Sequence, residues 1–144
     1  MELRDLHNNL DYKRGLSPVA AGTDNTPYVS QILDMQGLNG AEFVILSGAN
    51  TDADVTFTVL AEEGEVANLS DNTAVADADL IGTEVLASFT FADDNKVFKL
   101  GFRASGKRYK RVTITPANNG AGNIYIAGVW VTAPQLVPTA NPPA

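Results

Sequence analysis

The chain has 144 residues, of which 44% are hydrophobic, so it is long enough to form one domain with a sizeable core. It contains no cysteine, which excludes disulfides and thiolate metal sites. No run reaches the roughly 20 apolar residues that cross a bilayer, and the N-terminal sequence lacks the apolar segment of a secretory signal. We therefore expect neither a membrane span nor a secretory signal.

Charge is distributed in blocks along the chain. The net charge is -7, residues 34–94 contain acidic side chains but no Lys or Arg, and residues 96–111 contain basic side chains but no acid. No charged side chain follows Arg111. Such asymmetry can steer complementary surfaces together. Interleaved strands would instead mix these blocks on the folded surface, and the sequence leaves both interpretations open.

Most of the chain carries the pattern of short β-strands. Residues 1–27 are polar and rich in turn formers, so we interpret them as an N-terminal arm. Residues 74–86 are interpreted as a loop or single turn, with a short helix as the alternative. Residues 133–144 contain four prolines and are predicted to be an extended or disordered tail. The predicted strands span residues 28–35, 43–47, 55–60, 87–91, 97–103, 109–115 and 124–132.

The spacing of these strands, without intervening helical patterns, predicts an all-β sandwich or barrel and not a parallel α/β sheet. One position conflicts with the pattern. Lys110 falls in phase with Val112 and Ile114, which are predicted core residues. Either the Lys110 ammonium reaches water at the mouth of the sheet, or a bulge shifts the phase of the strand.

No motif predicts catalysis, a metal or a cofactor. Residues 101–107 (GFRASGK) match the spacing of a phosphate-binding loop, but Arg108 replaces the required Ser or Thr and a strand follows instead of a helix. We interpret Gly106 as part of a hairpin turn. His7 lies in the polar arm, and we interpret it as solvated or at an interface and not as catalytic. Three acid pairs could in principle bind Ca²⁺ or act as a glycosidase pair, but none has the spacing of a calcium loop and all lie in turn-like segments. We therefore interpret them as solvated turn residues: Asp52/Asp54, Asp77/Asp79 and Asp93/Asp94.

The basic run 107–111 (KRYKR) is too short, in so acidic a chain, to predict nucleic-acid binding. We expect its cations to meet acidic groups on a protein partner or within the subunit. Residues 124–131 (IYIAGVWV) are apolar on both faces, although a sandwich strand normally buries one. A neighbouring subunit, the chain's own arms or a loop could cover the second face; otherwise this is an ordinary central strand.

Three segments resemble a family of tailed-bacteriophage head decoration, or cement, proteins: residues 34–46 (DMQGLNGAEFVIL), 74–82 (AVADADLIG) and 106–115 (GKRYKRVTIT). The resemblance covers roughly residues 28–132, and Lys110 departs from the apolar residue expected at its position. It implies an antiparallel jelly-roll-like β-sandwich with extended N- and C-terminal arms. These structural motifs carry no catalytic residues.

The family resemblance implies a structural virion protein that binds the outside of an HK97-like capsid shell and stabilises it. The implied partners are the major capsid protein and the chain itself, as a homodimer or homotrimer, with no direct nucleic-acid or membrane contact. The implied location is the capsid exterior, after synthesis in the host cytoplasm. The alternative is a carbohydrate- or receptor-binding β-sandwich on the virion. The interface candidates are Arg4, Tyr12, Lys13, Arg14, Lys107, Arg108, Lys110, Tyr125, Trp130 and Leu136.

Overall fold

The computed structural model describes residues 5–18, 22–120, 122–136 and 139. Within these ranges the chain forms short helices and many antiparallel strands, with one 3₁₀ turn at Asp77–Asp79. The elements are α1 (Leu6–Asn9), β1 (Asp11–Leu16), β2 (Tyr28–Val29), β3 (Leu33–Asp34), β4 (Leu38–Ser47), β5 (Thr56–Gly64), β6 (Thr73–Ala74), β7 (Leu80–Ile81), α2 (Glu84–Ala87), β8 (Phe89–Thr90), β9 (Val97–Arg103), β10 (Tyr109–Ala117) and β11 (Ile126–Pro134).

The strands form two sheets that pack face to face, which confirms the predicted all-β sandwich. One sheet has the strand order β1-β11-β4-β9-β7, and the other has the order β2-β10-β5-β6, with β3 on β10 and β8 on β5. Period-2 alternation directs side chains from both sheets into one core. Its fully buried members include Phe43, Ile45, Phe57, Leu100, Phe102, Val112, Ile114 and Trp130. No helix in the described ranges is long and apolar enough to cross a membrane.

Part of the predicted N-terminal arm belongs to the sandwich. Residues 11–16 form the edge strand β1, which pairs with β11. The sequence missed this strand because its side chains are mostly polar, whereas backbone pairing needs no apolar residue. The Asp11 carboxylate accepts a hydrogen bond from the Tyr12 amide, and the Gly15 carbonyl accepts one from Gln31. These contacts and the charged side chains of β1 protect the edge against further strand pairing.

The predicted C-terminal tail also begins within the sheet, because β11 continues through Ala133 to Pro134 with a register shift between them. A proline is tolerated there because the ladder is irregular and ends at that residue. Further along, the Thr139 amide donates to the Asn8 carbonyl, and the single proton of its hydroxyl is shared between the carbonyls of His7 and Leu10, at 3.1 and 3.0 Å. This part of the tail therefore packs beside α1.

The turn that contains Gly106 is not a hairpin, so that prediction is wrong. Strands β9 and β10 flank the turn but belong to different sheets. The turn crosses from one layer of the sandwich to the other, and Gly106 adopts a φ of +71°, which favours glycine.

Residues 74–86 contain several short elements. The last three of these residues, 84–86, belong to α2, so the short-helix alternative is confirmed for the end of this segment.

Candidate functional site

One face of the five-stranded sheet is turned away from the core and carries a contiguous apolar surface. Cross-strand pairing places Val129 of β11 opposite Val44 of β4, and Leu46 of β4 opposite both Ala127 and Val97. We call this surface the outer face. Its apolar centre consists of Val44, Leu46, Val97, Ala127, Val129 and Val131.

The described parts of the chain leave this face open to solvent. Leu46 is 52% exposed, Val97 63% and Val129 41%, whereas the alternate residues Ile126 and Trp130 of β11 are buried. Neither the described arm residues nor the described loops supply the cover that the sequence of β11 suggests. A contiguous apolar patch of this kind marks an interaction surface in a soluble protein.

Charged side chains flank the apolar centre. Arg14 of β1 lies beside Val129, and Lys99 of β9 lies beside Val44, so one row across the sheet reads cation, valine, valine, cation. The Lys99 ammonium is 3.6 Å from the Glu42 carboxylate in an exposed pair, which contributes little stability. Face-to-face pairing of two copies, centred on the valines by a two-fold axis, would set cations opposite cations. The face therefore suits a different surface that carries carboxylates.

A groove of about 330 Å³ adjoins the outer face near Tyr125, with Pro18, Leu46 and Ala127 among its lining residues. The Tyr125 backbone is fixed on both sides, since its amide donates to Asn50 Oδ1 and its carbonyl accepts from the Gly48 amide. A Cβ at position 48 would lie 2.8 Å from the Tyr125 Cβ, so glycine is required for this approach. The tyrosine side chain remains partly exposed beside the groove.

The basic run is largely neutralised within the subunit. The Arg108 guanidinium donates two hydrogen bonds to Asp34, of 2.9 and 2.7 Å, and these hold the pKa of Asp34 below its usual value. Arg111 makes an equivalent two-bond contact with Glu62, with both distances 2.9 Å. Of the two partners expected for this run, acids within the subunit are the ones that Arg108 and Arg111 meet.

Lys110 follows neither of the two predicted alternatives. The register between β10 and β5 runs without a bulge, and Lys110 is 0% exposed, so its ammonium does not reach water. Its Nζ donates to the Glu63 carboxylate, which lies directly across the strand pair, and to the Ser105 carbonyl at 3.0 Å. Glu63 is in phase with the core side of β5, and this was the sequence signal for a buried partner.

The Glu63 carboxylate also explains why residues 101–107 (GFRASGK) do not form a phosphate-binding loop. The Lys107 amide donates to Glu63 Oε2 at 3.0 Å, and a Cβ at Gly106 would lie 2.5 Å from that oxygen. An internal carboxylate thus occupies the position at the turn where an external anion would bind. The Lys107 ammonium donates to the Thr73 hydroxyl at the surface.

The prediction that Trp130 and Lys110 are interface residues is corrected, because both side chains are buried in the subunit. The Trp130 ring packs edge-on against Phe43 and Phe102, with centroid distances of 4.7 and 5.2 Å, and its Nε1–H donates to the Gln31 carbonyl. Which face of the strand turns inward depends on packing against the second sheet, which the alternation of residues 124–131 does not determine.

The other candidates lie in several places. Tyr12 is exposed on the outer face opposite Val131, and Lys13 is 3.3 Å from the Asp11 carboxylate. Leu136 is exposed after β11, and Arg4 lies outside the described residues. The outer face therefore brings together Tyr12, Arg14 and Tyr125 of the predicted candidates, but not the basic run.

The acid pairs fix turns. Asp52 accepts hydrogen bonds from the backbone amides of Asp54 and Val55, and the bond from Asp54 lowers the pKa of Asp52. Asp93 accepts from the Lys96 ammonium and from the Thr90 amide. Among the described residues, no three acidic or histidine side chains converge on a possible metal position. These contacts agree with the interpretation of Asp52 and Asp93 as turn residues.

No protein-family model and no curated protein matches the sequence. Among solved structures, the PBSX exported protein XepA has a TM-score of 0.51 at 14% identity; the match covers 93% of this chain and 40% of XepA. The xylan-binding module CBM15 has a TM-score of 0.41 at 14% identity and 90% and 93% coverage. The P-domain of Macrobrachium rosenbergii nodavirus has a TM-score of 0.42 at 14% identity and 88% and 94% coverage. The XepA similarity supports the fold of this chain, which spans less than half of that protein.

Proposed function

We propose that the protein is a structural virion protein that decorates the outside of an HK97-like capsid shell and stabilises it. The observation that carries the proposal is the apolar outer face of the sandwich, which the described residues leave exposed to solvent. The sequence resemblance to head decoration proteins supports it independently. In this proposal the chain is made in the host cytoplasm and functions on the capsid exterior.

The outer face supplies the contact, and repetition supplies the strength. The valines and Leu46 lose water when they pack against an apolar strip of the shell protein, at roughly 25 cal/mol per Å² of apolar surface. Arg14 and Lys99 at the sides of the face bind carboxylates of the shell. Each decorating subunit that bridges neighbouring capsid subunits favours the assembled state over the dissociated one, because it binds that state alone.

The test compares particles that lack the protein with particles to which it has been added back. We expect particles without it to release their DNA at a lower temperature, and wild-type protein to restore the release temperature. A Leu46→Asp/Val129→Asp variant should not restore it, because two carboxylates would be buried without partners. The matched control is Val66→Asp, at an exposed valine in the loop after β5.

Equal thermal stability of particles with and without the protein, together with no binding of the protein to shells, would rule the proposal out. Restoration by the Leu46→Asp/Val129→Asp variant as complete as by wild type would show that the outer face is not the contact. Circular dichroism of the variant checks that the sandwich is intact, which we expect because both side chains are solvent-exposed.

A second candidate function is carbohydrate or receptor binding on the virion surface, favoured by the exposed Tyr125 side chain beside its groove. Sugar rings stack on exposed aromatic faces, and Tyr125 offers one. Fluorescence of Trp130 is an unsuitable reporter because this side chain is buried. The test is chemical-shift perturbation on glycan titration of wild type and Tyr125→Ala: shifts confined to the wild-type groove would support binding, and unchanged spectra would exclude it for those glycans.

A further inference from the structure

The helical turn α2 displays two large apolar side chains to solvent, with Val85 82% and Leu86 75% exposed. The turn is fixed at both ends. The Thr83 hydroxyl caps it by accepting from the Leu86 amide at 3.1 Å, and the Ser88 hydroxyl donates to the Glu84 carbonyl at 2.8 Å. The two exposed side chains are therefore presented in a defined arrangement.

Other residues of this region perform its structural role. The Glu84 carboxylate accepts from the Ala61 amide at 2.5 Å, and the Ser88 hydroxyl accepts from the Val59 amide at 3.0 Å. These amides lie on the edge of β5 between the segments that pair with β6 and β8, so α2 closes a gap in the sheet. Ala87 is buried beneath the turn. None of these contacts needs an apolar side chain at positions 85 and 86.

Two residues separate the end of the edge strand β7 at Ile81 from the start of α2 at Glu84. Ile81 of β7 pairs with Gly101 of β9 and is 56% exposed on the outer side of the sheet. A Cβ at Gly101 would lie 2.9 Å from the Ile81 Cβ, so the absence of a side chain there lets Ile81 cover the strand. Ile81 thus places an apolar side chain at the β7 edge of the outer face, close to α2, and the Glu42–Lys99 pair lies between it and the apolar centre.

The outer face alone is small for a stable contact. Four strands spaced about 4.8 Å apart and seven residues long measure about 19 Å by 23 Å, or roughly 450 Å². A specific protein interface buries about 800 Å² on each partner. Addition of Ile81, Val85 and Leu86 brings the surface closer to that size and adds large apolar side chains that are more than half exposed.

The charge near α2 specifies the chemistry of the partner. A groove of about 420 Å³ beside the turn is lined by Asp77, Leu80, Glu84 and Val85 among others. Asp77 and Glu84 are the charged residues among those that line this groove, so its lining is acidic. The same region of a second copy would repel it, whereas a partner with Lys or Arg beside an apolar pocket would complement it.

We propose that α2 is the anchor of the decoration contact. Val85 and Leu86 insert into an apolar pocket of the shell protein, and Asp77 binds a Lys or Arg side chain at the rim of that pocket. This inference rests on the proposed decoration function and names the region that contributes most to affinity. The partner is the same shell surface that covers the outer face.

The experiment measures cosedimentation of the full-length protein with undecorated shells over a range of salt concentrations. A Val85→Gln/Leu86→Gln variant should bind at least about thirtyfold more weakly than wild type. The matched control, Val66→Gln, should bind as wild type does. Asp77→Asn should weaken binding several-fold and reduce its salt dependence, because one charge pair is lost. The Val85→Gln/Leu86→Gln variant should remain folded in thermal unfolding, because both side chains are exposed and the helix propensity of glutamine is above that of valine and close to that of leucine.

The outcomes separate the anchor from the decoration function. If wild-type protein does not bind shells, the decoration proposal fails and the anchor with it. If wild type binds and the Val85→Gln/Leu86→Gln variant binds equally well, the anchor is refuted while decoration stands. If the variant binds shells as wild type does but loses self-association of the protein, the occupant of α2 is a second copy, and the proposal is again overturned.

Discussion

Replacement of Lys110 by methionine removes a buried cation from beside the Glu63 carboxylate. Lys110 is 0% exposed, and the side chain of Glu63 is 8% exposed, so water cannot replace the lost partner without opening the sandwich. Removal of one member of a buried ion pair costs about 3–5 kcal/mol. The Lys107 amide continues to donate to Glu63, which favours the lower end of this range. A domain of this size is stable by about 5–15 kcal/mol, so the loss is large.

The double variant Lys110→Met/Glu63→Gln separates the charge from the hydrogen bonds. Glutamine keeps an oxygen that accepts from the Lys107 amide and removes the charge that methionine leaves unpaired. We expect the double variant to be more stable than Lys110→Met alone, because a buried ion pair replaced by neutral groups is often neutral or stabilising. The two substitutions should therefore be strongly non-additive.

Urea unfolding of wild type, Lys110→Met, Glu63→Gln and the double variant measures these free energies, with Trp130 fluorescence and far-ultraviolet circular dichroism as independent probes of the transition. Coincident transitions are required before the free energies are compared. A cost below about 1 kcal/mol for Lys110→Met would indicate a solvated surface pair. That result, or additivity of the two substitutions, would refute the assignment of Lys110 and Glu63 as a buried charge pair.

Three further predictions test other parts of the structure. Burial alone would raise the pKa of Glu62, but hydrogen bonds from Arg111 and Thr113 outweigh burial and lower this pKa. The ionised Glu62 therefore stabilises the fold above about pH 5, and this contribution is lost as the pH falls through the lowered pKa. In urea unfolding, the difference in free energy of unfolding between wild type and Glu62→Gln should be smaller at about pH 3 than at about pH 7. Gly101→Val should lower the melting temperature in calorimetry and destabilise by about 1–3 kcal/mol, because its Cβ would lie 2.9 Å from that of Ile81; an unchanged melting temperature would contradict the packing. Trp130 should show blue-shifted emission and slow acrylamide quenching until the chain unfolds, and rapid quenching of the folded protein would contradict its burial.

The fold could be predicted largely from period-2 alternation. Strand β9 has the predicted bounds, residues 97–103, because its alternating Phe and Leu side chains face the core. Strand β1 was missed because an edge strand can pair through its backbone while its side chains stay polar. The turn at Gly106 was identified, but its topology was wrong, since a turn sequence does not state whether the next strand joins the same sheet.

The candidate site was predictable only in part, because burial on one side of a strand depends on the partner layer. The sequence of β11 showed two apolar faces, and the structure shows that Trp130 belongs to the inner one and Val129 to the outer one. Lys110 was recognised as an anomaly, but its partner Glu63 is 47 residues away in sequence. Val85 lies in a segment without a decisive pattern, so its exposure became evident only in three dimensions.

The internal pairing of the basic residues changes what the charge blocks of the sequence mean. Of the nine Lys and Arg residues that the structure describes, six form ion pairs with carboxylates of the same chain. Much of the positive charge is therefore neutralised at short range, whereas the net charge of -7 leaves an excess of carboxylates to act at longer range. Approach to a partner is then favoured where that partner is basic, and the apolar outer face and α2 supply contact energy once the surfaces meet. A shell surface with cations around the pocket for α2 and carboxylates opposite Arg14 and Lys99 satisfies these requirements, whereas a second copy would set carboxylates against carboxylates at α2 and cations against cations on the outer face.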